Sequence, residues 1–253
     1  MQELILERES LYSPEQLRQL DKVSIPRHIA IIMDGNRRWA TKLGKAAFQG
    51  HYQGAKQLGN IVQAAAEIGV STLTVFAFST ENWKRSEKEV AVLMRILKSQ
   101  ILEQKETMKE EGVRLSFIGD MTRLPKGLVS VMKEAAEYTK EGTNLELVMA
   151  INYGGRDEVV RATRKIVDAI GKGEMSAQDI DERVFESYLD TAHTPPPELV
   201  IRTSGEYRLS NFLLWQLSYS EVFFLDLCWP EFSHIHFLDV VLTFQKRNRR
   251  YGG

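Results

Sequence analysis

One cysteine, Cys228, is all that the 253 residues contain. An internal disulfide framework and a thiolate metal cluster within one chain are therefore excluded, and the usage fits a reducing compartment. No apolar run approaches the ~20 residues needed to cross a bilayer. The first ten residues, Met-Gln-Glu-Leu-Ile-Leu-Glu-Arg-Glu-Ser, carry acids where a secretory signal would carry bases. The expectation is a cytoplasmic protein, whose substrate could still be embedded in a membrane. An excess of either charge is also missing: 33 Lys and Arg stand against 34 Asp and Glu, so no global positive field argues for nucleic acid as a partner. There is no internal repeat and no low-complexity linker. Neither a Gly-x-x-x-x-Gly-Lys-Ser/Thr loop nor a Gly-x-Gly-x-x-Gly loop is found, which counts against a nucleotide-binding enzyme.

What is present is an ordinary globular composition, 43% hydrophobic and 26% charged, in a chain long enough for one large α/β domain. Residues 1–22 read as a peripheral helical arm, with Ser13-Pro14-Glu15-Gln16 as a helix start. Residues 23–253 read as one catalytic domain. Apolar strands are expected at His28–Met33, Thr72–Phe78, Arg114–Gly119, Leu145–Ile151, Leu199–Arg202 and Glu221–Asp226. Helices are expected at Gly50–Ile68, Glu87–Glu111, Pro125–Lys140, Arg156–Ala169, Glu182–Leu189 and Ile235–Arg249. The alternation predicts a central, mostly parallel six-stranded sheet covered by helices on both faces. The helix from Glu87 is long, roughly 37 Å at 1.5 Å per residue. Its stripe of Val90, Leu93, Met94, Leu97 and Ile101 suits packing on a sheet, and a broad arc of this kind could also line an apolar channel.

Three clusters lie where strands should end, the place where open α/β sheets gather ligands. In the first, Asp34-Gly35-Asn36-Arg37-Arg38-Trp39 follows an apolar strand, with Gly50-His51 further on. A carboxylate there can hold a divalent cation, arginines can fork onto phosphate oxygens, and a small-residue turn can aim N–H groups at an anion. Asp34-Gly35 alone is also what a plain tight turn looks like. His51 would open a helix and face an anion, or would be structural. The second cluster, Ser79-Thr80-Glu81-Asn82-Trp83-Lys84-Arg85, reads as a loop that closes over a phosphorylated substrate. Ser86 and Glu89 beyond it could form a capping box. In the third, Arg202 to Asn211, Arg202 and Arg208 flank a glycine turn so that both could face one dianion. Arg202 ends a buried strand and needs a partner there. Glu221 is a second candidate metal carboxylate. His234-Ile235-His236 does not suit a metal pair.

Four blocks, His28 to Asn36, Phe78 to Trp83, Asn152-Tyr153-Gly154-Gly155-Arg156 and Ile201 to Glu206, resemble the cis-prenyltransferases, most closely the bacterial undecaprenyl diphosphate synthases. The similarity runs from about residue 24 to Gly253, in order and at family spacing. The resemblance implies repeated condensation of isopentenyl diphosphate onto an allylic diphosphate, farnesyl diphosphate by expectation, with Mg²⁺. The product is a long cis-polyprenyl diphosphate, the undecaprenyl carrier precursor of cell-wall synthesis. By the same resemblance Asp34 and Asn82 are catalytic, and Asp34 and Glu221 hold the metal. Gly35, Asn36, Arg37, Arg38, Trp39 and His51 cradle the allylic diphosphate. Ser79, Thr80, Glu81, Trp83, Arg85 and Glu89 form the substrate-binding loop and its hinge. Arg202, Arg208 and Ser210 take isopentenyl diphosphate. The product chain would grow into an apolar tunnel between the sheet and the helices at 50–68 and 87–111. The tail residues Arg250 and Gly252 would sit at a homodimer interface, and transient contact with a membrane surface would serve product release.

The proton-abstracting base is open among Asp34, Asn82 through water, and the departing pyrophosphate. The Asp-Asp-x-x-Asp mark of the trans-prenyltransferases is absent. A non-catalytic relative would be expected to lack Asp34, Arg202 and Arg208, and all three are present. Two departures from the family pattern stand out: Arg37 replaces a glycine, and Ala47 replaces an arginine. Arg37 is expected to supply the guanidinium missing at position 47, and its backbone to need φ > 0, which Arg tolerates poorly.

Overall fold

The structure, a computed structural model, describes residues 10–247. In chain order these form α1 (Pro14–Arg18), β1 (His28–Ile32), α2 (Asn36–Lys42), α3 (Ala47–Ile68), β2 (Thr72–Ser79), α4 (Glu87–Glu110), β3 (Val113–Ile118), α5 (Lys126–Thr139), β4 (Leu145–Tyr153), α6 (Gly155–Gly171), α7 (Glu182–Ser187), β5 (Leu199–Arg202), β6 (Glu221–Phe224) and α8 (His234–Gln245). The strands form one sheet in the order β3-β4-β2-β1-β5-β6. Every pairing is parallel, so the sheet is wholly rather than mostly parallel.

Parallel strands covered on both faces become continuous apolar runs. All five residues of β1 and all nine of β4 are buried. Alternation then assigns the faces. Ile29 and Ile31 enter the larger core with Leu58, Ile61, Met94 and Phe237, while Ala30 and Ile32 enter a smaller one with Tyr153, Phe212 and Leu213. The substrate-sized spaces described below open on the larger side, under α3 and α4.

The arm is tied down. Ser13 caps α1 in a capping box with Gln16, and Pro14 occupies its first turn. Tyr12 is buried edge-on against His234 and donates its hydroxyl to the His234 carbonyl at 3.2 Å. At α4 only half of the expected capping box forms. The Ser86 hydroxyl accepts the Glu89 N–H, but the Glu89 carboxylate pairs with Arg85 at 3.0 Å.

Most strand and helix ends shift by one to a few residues from the sequence reading, and two differences have a structural reason, the presence of α2 and the start of α3. α2 was not expected, because seven residues are too few to show a 3.6 period and Asp34-Gly35 signals a turn. α3 begins at Ala47, not Gly50. Gly50 and Gly54 belong to its interior, where they let α2 approach. A Cβ on Gly50 would lie 2.0 Å from the Asn36 carbonyl oxygen, and one on Gly54 2.2 Å from Asn36 Oδ1. No helix among the described residues is long and apolar enough to cross a membrane.

Candidate active site

The chain leaves β1 toward β2 on one side and leaves β5 toward β6 on the other, so the connections diverge between these neighbouring strands. Such a switch point opens a crevice outside the carboxyl ends of the sheet. Asp34 and Arg202 meet there. Arg202 ends β5 opposite Ile32, the last residue of β1, and its Nη2 donates to Asp34 Oδ2 at 2.9 Å. The Arg202 side chain is 4% exposed, so the pair is largely cut off from water on that side and is screened little.

The surrounding backbone fixes this carboxylate. The Asp34 N–H donates to Thr203 Oγ1 at 3.0 Å, and that hydroxyl donates back to the Asp34 carbonyl at 2.7 Å. The Gly35 N–H donates to Asp34 Oδ1 at 2.7 Å, and Arg38 approaches Oδ2 at 3.2 Å. Burial alone would raise the pKa of Asp34. The hydrogen bonds from Arg202 and Gly35, with the charges of Arg202 and Arg38, outweigh it and hold the group below the usual carboxylate range. Gly35 has φ +99°, and a Cβ there would meet Ser204 Oγ at 2.7 Å. This glycine, not residue 37, takes the left-handed conformation. Arg37 lies in the first turn of α2 and is absent from the residues of positive φ, which corrects the strain expected there.

A cavity of about 710 Å³ opens beside the pair. Arg37, Arg38, Arg85, Arg202 and Arg208 line it, against the carboxylates of Asp34 and Glu81. Ser210 Oγ accepts from Arg202 Nη1 at 2.7 Å, and Arg208 is held by Glu206 and by its own carbonyl's contact with Arg202. Three buried polar atoms here have no protein partner: Asn36 Oδ1, His51 Nε2 and Arg202 Nε. His51 is one turn inside α3 rather than at its start. Burial first, then the charges of Arg85 and Arg37, pushes its pKa down to about 4. The imidazole is therefore neutral near pH 7.

A second, narrow space of about 100 Å³ runs under α3 and α4, walled by Leu58, Leu97, Ile101, Leu115 and Met149 among others. Met33, Asn36, His51, Ala77 and Leu93 line both spaces. The polar cavity and the apolar cleft thus share a wall.

The candidate residues are distributed unevenly around this centre. Gly35, Asn36, Ser79, Glu81 and Asn82 line the large cavity. Asn82 Oδ1 accepts the Ser79 N–H at 3.1 Å and closes a short 3-10 turn over Thr80–Lys84. Glu89 touches the cavity only through Arg85. Trp83 and Thr80 do not line it. Trp83 donates its indole N–H to Asn152 Oδ1 at 2.6 Å and stands edge-on to Phe78, so its ring anchors the turn to the end of β4. Trp39 faces a separate groove beneath Lys45.

Glu221 is not beside Asp34 within the chain. It starts β6 opposite Leu199, three residues or roughly 10 Å along the strand from the Arg202 level, and pairs with Arg247 at 2.9 Å. A carboxylate at the start of a strand faces the opposite end of the sheet from one that follows a strand. Arg250 and Gly252 lie outside the described residues.

Sequence reasoning placed Asn211 at the end of the third cluster but gave it no role. Its side chain donates to Glu81 at 2.8 Å and accepts the Arg156 N–H at 2.9 Å, while its carbonyl accepts the Gly155 N–H at 2.7 Å. It therefore ties the second and third clusters to the Asn152–Arg156 block. A Cβ on Gly154 would come within 2.5 Å of Thr80 Oγ1 and 2.7 Å of the Asn211 amide nitrogen, and one on Gly155 within 2.8 Å of Leu214, so neither position has room for a side chain. The signal available for Asn211 was its place beside Ser210.

Among the described residues no group of three or more His, Cys, Asp or Glu side chains could hold a metal alone. A cation that keeps waters and takes substrate phosphate oxygens needs only one or two protein carboxylates, and Asp34 fits that description.

Comparison with known proteins agrees with this geometry. Residues 32–252 match the family described as "Putative undecaprenyl diphosphate synthase". The chain is 45% identical over 232 residues to an isoprenyl transferase of Bacillus subtilis, covering 92% of this chain and 89% of that one. It is 44% identical over 243 residues to a tritrans,polycis-undecaprenyl-diphosphate synthase (geranylgeranyl-diphosphate specific) of Thermococcus kodakarensis, covering 95% and 92%. Among solved structures, lavandulyl diphosphate synthase from Lavandula x intermedia, in complex with dimethylallyl diphosphate, superposes with a TM-score of 0.89. It is 37% identical and covers 92% of this chain and 100% of that one. A match that spans nearly the whole chain, at this identity and with this fold, makes the chain a cis-prenyltransferase of the undecaprenyl diphosphate synthase family.

Proposed function

We propose that this enzyme adds isopentenyl diphosphate repeatedly to an allylic primer, farnesyl diphosphate, to make a long-chain cis-polyprenyl diphosphate, the undecaprenyl lipid-carrier precursor of cell-wall synthesis. The observation that carries the reading is the Asp34–Arg202 pair at the β1/β5 switch point, in a guanidinium-lined cavity that shares a wall with an apolar cleft. One end suits diphosphates and the other suits hydrocarbon.

Ionisation of the allylic carbon–oxygen bond places negative charge on the departing pyrophosphate, so donors must already face it. Arg37, Arg38, the N-terminal amides of α2 and His51 would hold that group. Arg202, Arg208 and Ser210 would hold the diphosphate of isopentenyl diphosphate across the same cavity. Asp34 would hold Mg²⁺ together with substrate oxygens, and that cation would add charge neutralisation to the leaving group. The double bond of isopentenyl diphosphate attacks the cation-like allylic carbon, one new carbon–carbon bond forms, and a proton is lost. Asn82 Oδ1 is already engaged by Ser79, and the Asp34 oxygens by Arg202, Gly35 and Arg38. The departing pyrophosphate is then the proton acceptor. Asn82, Glu81 and Arg85 would position the substrates, with Glu89 steadying Arg85.

The product chain would enter the cleft under α3 and α4, which has to widen as the chain lengthens. The working form would be a cytoplasmic homodimer, completed by the tail that includes Arg250 and Gly252. The test is incubation with labelled isopentenyl diphosphate, farnesyl diphosphate and Mg²⁺, followed by chromatography of the lipid product. Chain-extended polyprenyl diphosphate is expected. Folded protein that forms none would mark the chain as a non-catalytic member of the family.

A further inference from the structure

A third space, of about 680 Å³, lies on the outer side of the same helices, apart from the diphosphate cavity. Trp39, Phe48 and Tyr52 line one side of it and Val92, Arg95 and Ile96 the other. Around it Leu43, Phe48 and Tyr52 are 50%, 54% and 43% exposed. Lys45 lies over the Trp39 ring at 5.0 Å and Lys56 over the Tyr52 ring at 5.2 Å. No Asp or Glu lines the groove. The bias is already present along the chain: Gly35 to Ala66 contains five Lys and Arg and no Asp or Glu, in a protein of net charge −1. Arg37 and Arg38 face the diphosphate cavity, but Lys42, Lys45, Lys56 and Arg95 do not line it. Beyond the lining, Lys42 lies 4.0 Å from Glu231, and Glu89, three residues before Val92 on α4, is paired with Arg85.

We infer that this face docks on the surface of an anionic lipid bilayer. Aromatic rings with apolar bodies and polar edges settle at the level of lipid headgroups. Lysines beside them bury their stems and keep their charges toward the phosphates. Each cation near such a surface adds attraction that falls away within a Debye length. Net charge alone would not bring this protein to a negative membrane, so the local concentration of cations decides which face turns toward it. The groove is also placed to be useful. Ile96 lines both it and the apolar cleft, so one side chain of α4 separates the docked face from the space assigned to the growing chain. This role rests on the proposed lipid product, whose transfer from the cleft would then begin at the bilayer.

The experiment is co-sedimentation of the full chain with vesicles of phosphatidylcholine, alone or mixed with phosphatidylglycerol, without substrate. The wild type is expected to bind the mixed vesicles, to ignore the neutral ones and to bind less as salt rises. Lys45→Glu with Arg95→Glu, and separately Phe48→Ser with Tyr52→Ser, should weaken binding roughly tenfold or more. Melting temperature and condensation in detergent should be unchanged. Should either variant unfold, the salt and lipid dependence of the wild type still decides. Equal binding to neutral vesicles, no binding to anionic ones, or folded variants that bind like wild type would overturn the inference. So would a lipid-free dimer that becomes monomeric in the Phe48/Tyr52 variant, since a second copy would then cover this face. Vesicle binding needs no catalysis, so its failure and failure of the elongation assay are read separately.

Discussion

A guanidinium at the end of a buried strand needs partners, and Arg202 finds Asp34, Ser210 and the Arg208 carbonyl. That need was legible in the sequence, because Arg202 closes an apolar run. Glu221 carried no such signal: it begins its strand, and the sheet therefore sends it to the other end, to Arg247. Trp83 sat in a polar cluster but spends its ring on Phe78 and Asn152, contacts that only the fold can bring together. Arg37 makes a prediction at this scale. It lines the cavity from a helical position, and Ala47 begins α3 one turn before His51. Charge-assisted contacts to phosphate are worth about 1.5–3 kcal/mol. Arg37→Gly should therefore raise the primer KM roughly tenfold or more, and adding Ala47→Arg should recover most of it. A single variant with the wild-type primer KM would show that Arg37 does not supply the missing guanidinium.

Strands could be placed from their continuous apolar runs and long helices from the period of their buried face. Short α2 could not, since its position depends on a neighbour. What brings it against α3 is the pair Gly50 and Gly54, one turn apart, which a sequence reading treats as helix breakers and the structure uses as contact points. In Gly54→Ala the new methyl would meet Asn36 Oδ1 at 2.2 Å and Trp229 Cδ1 at 2.8 Å. Overpacking of this kind costs about 1–3 kcal/mol. Denaturant unfolding should show that loss, and because Asn36 is displaced the primer KM should rise with it. An unchanged midpoint would mean that the two helices separate freely. The apolar cleft belongs to this scale as well. Its walls Leu93 and Leu97 were read as a packing stripe that could line a channel, and they border open space. Leu97→Trp should therefore shorten the product chain on chromatography, and full-length product would place the chain elsewhere.

The whole molecule is arranged by strand order. Divergent connections from β1 and β5 leave one crevice, and the three polar clusters border it although 168 residues separate Asp34 from Arg202. The alternation of strands and helices predicted a mostly parallel six-stranded sheet, while the order of the strands came only with the pairings. The same core makes stability depend on pH. His28 is buried, with Nδ1 at 2.6 Å from the Pro195 carbonyl and Nε2 at 2.7 Å from Thr74 Oγ1, and burial pushes its pKa down to about 4 from 6.5. The unfolded chain binds the proton more readily, so this contribution is complete above about pH 6.5 and is lost as pH falls through about 4. The advantage of wild type over His28→Gln in urea unfolding should accordingly shrink by roughly 3 kcal/mol between those limits. A constant difference would mean that His28 takes up its proton as readily in the fold as in the unfolded chain.

The central claim is that a leaving pyrophosphate is captured where Asp34 meets Arg202. It is tested most directly by the turnover of Asp34→Ala with isopentenyl and farnesyl diphosphates at saturating Mg²⁺, alongside its melting temperature. A fall of about 100-fold or more with the fold intact is the predicted result. Wild-type turnover in the folded variant would contradict it.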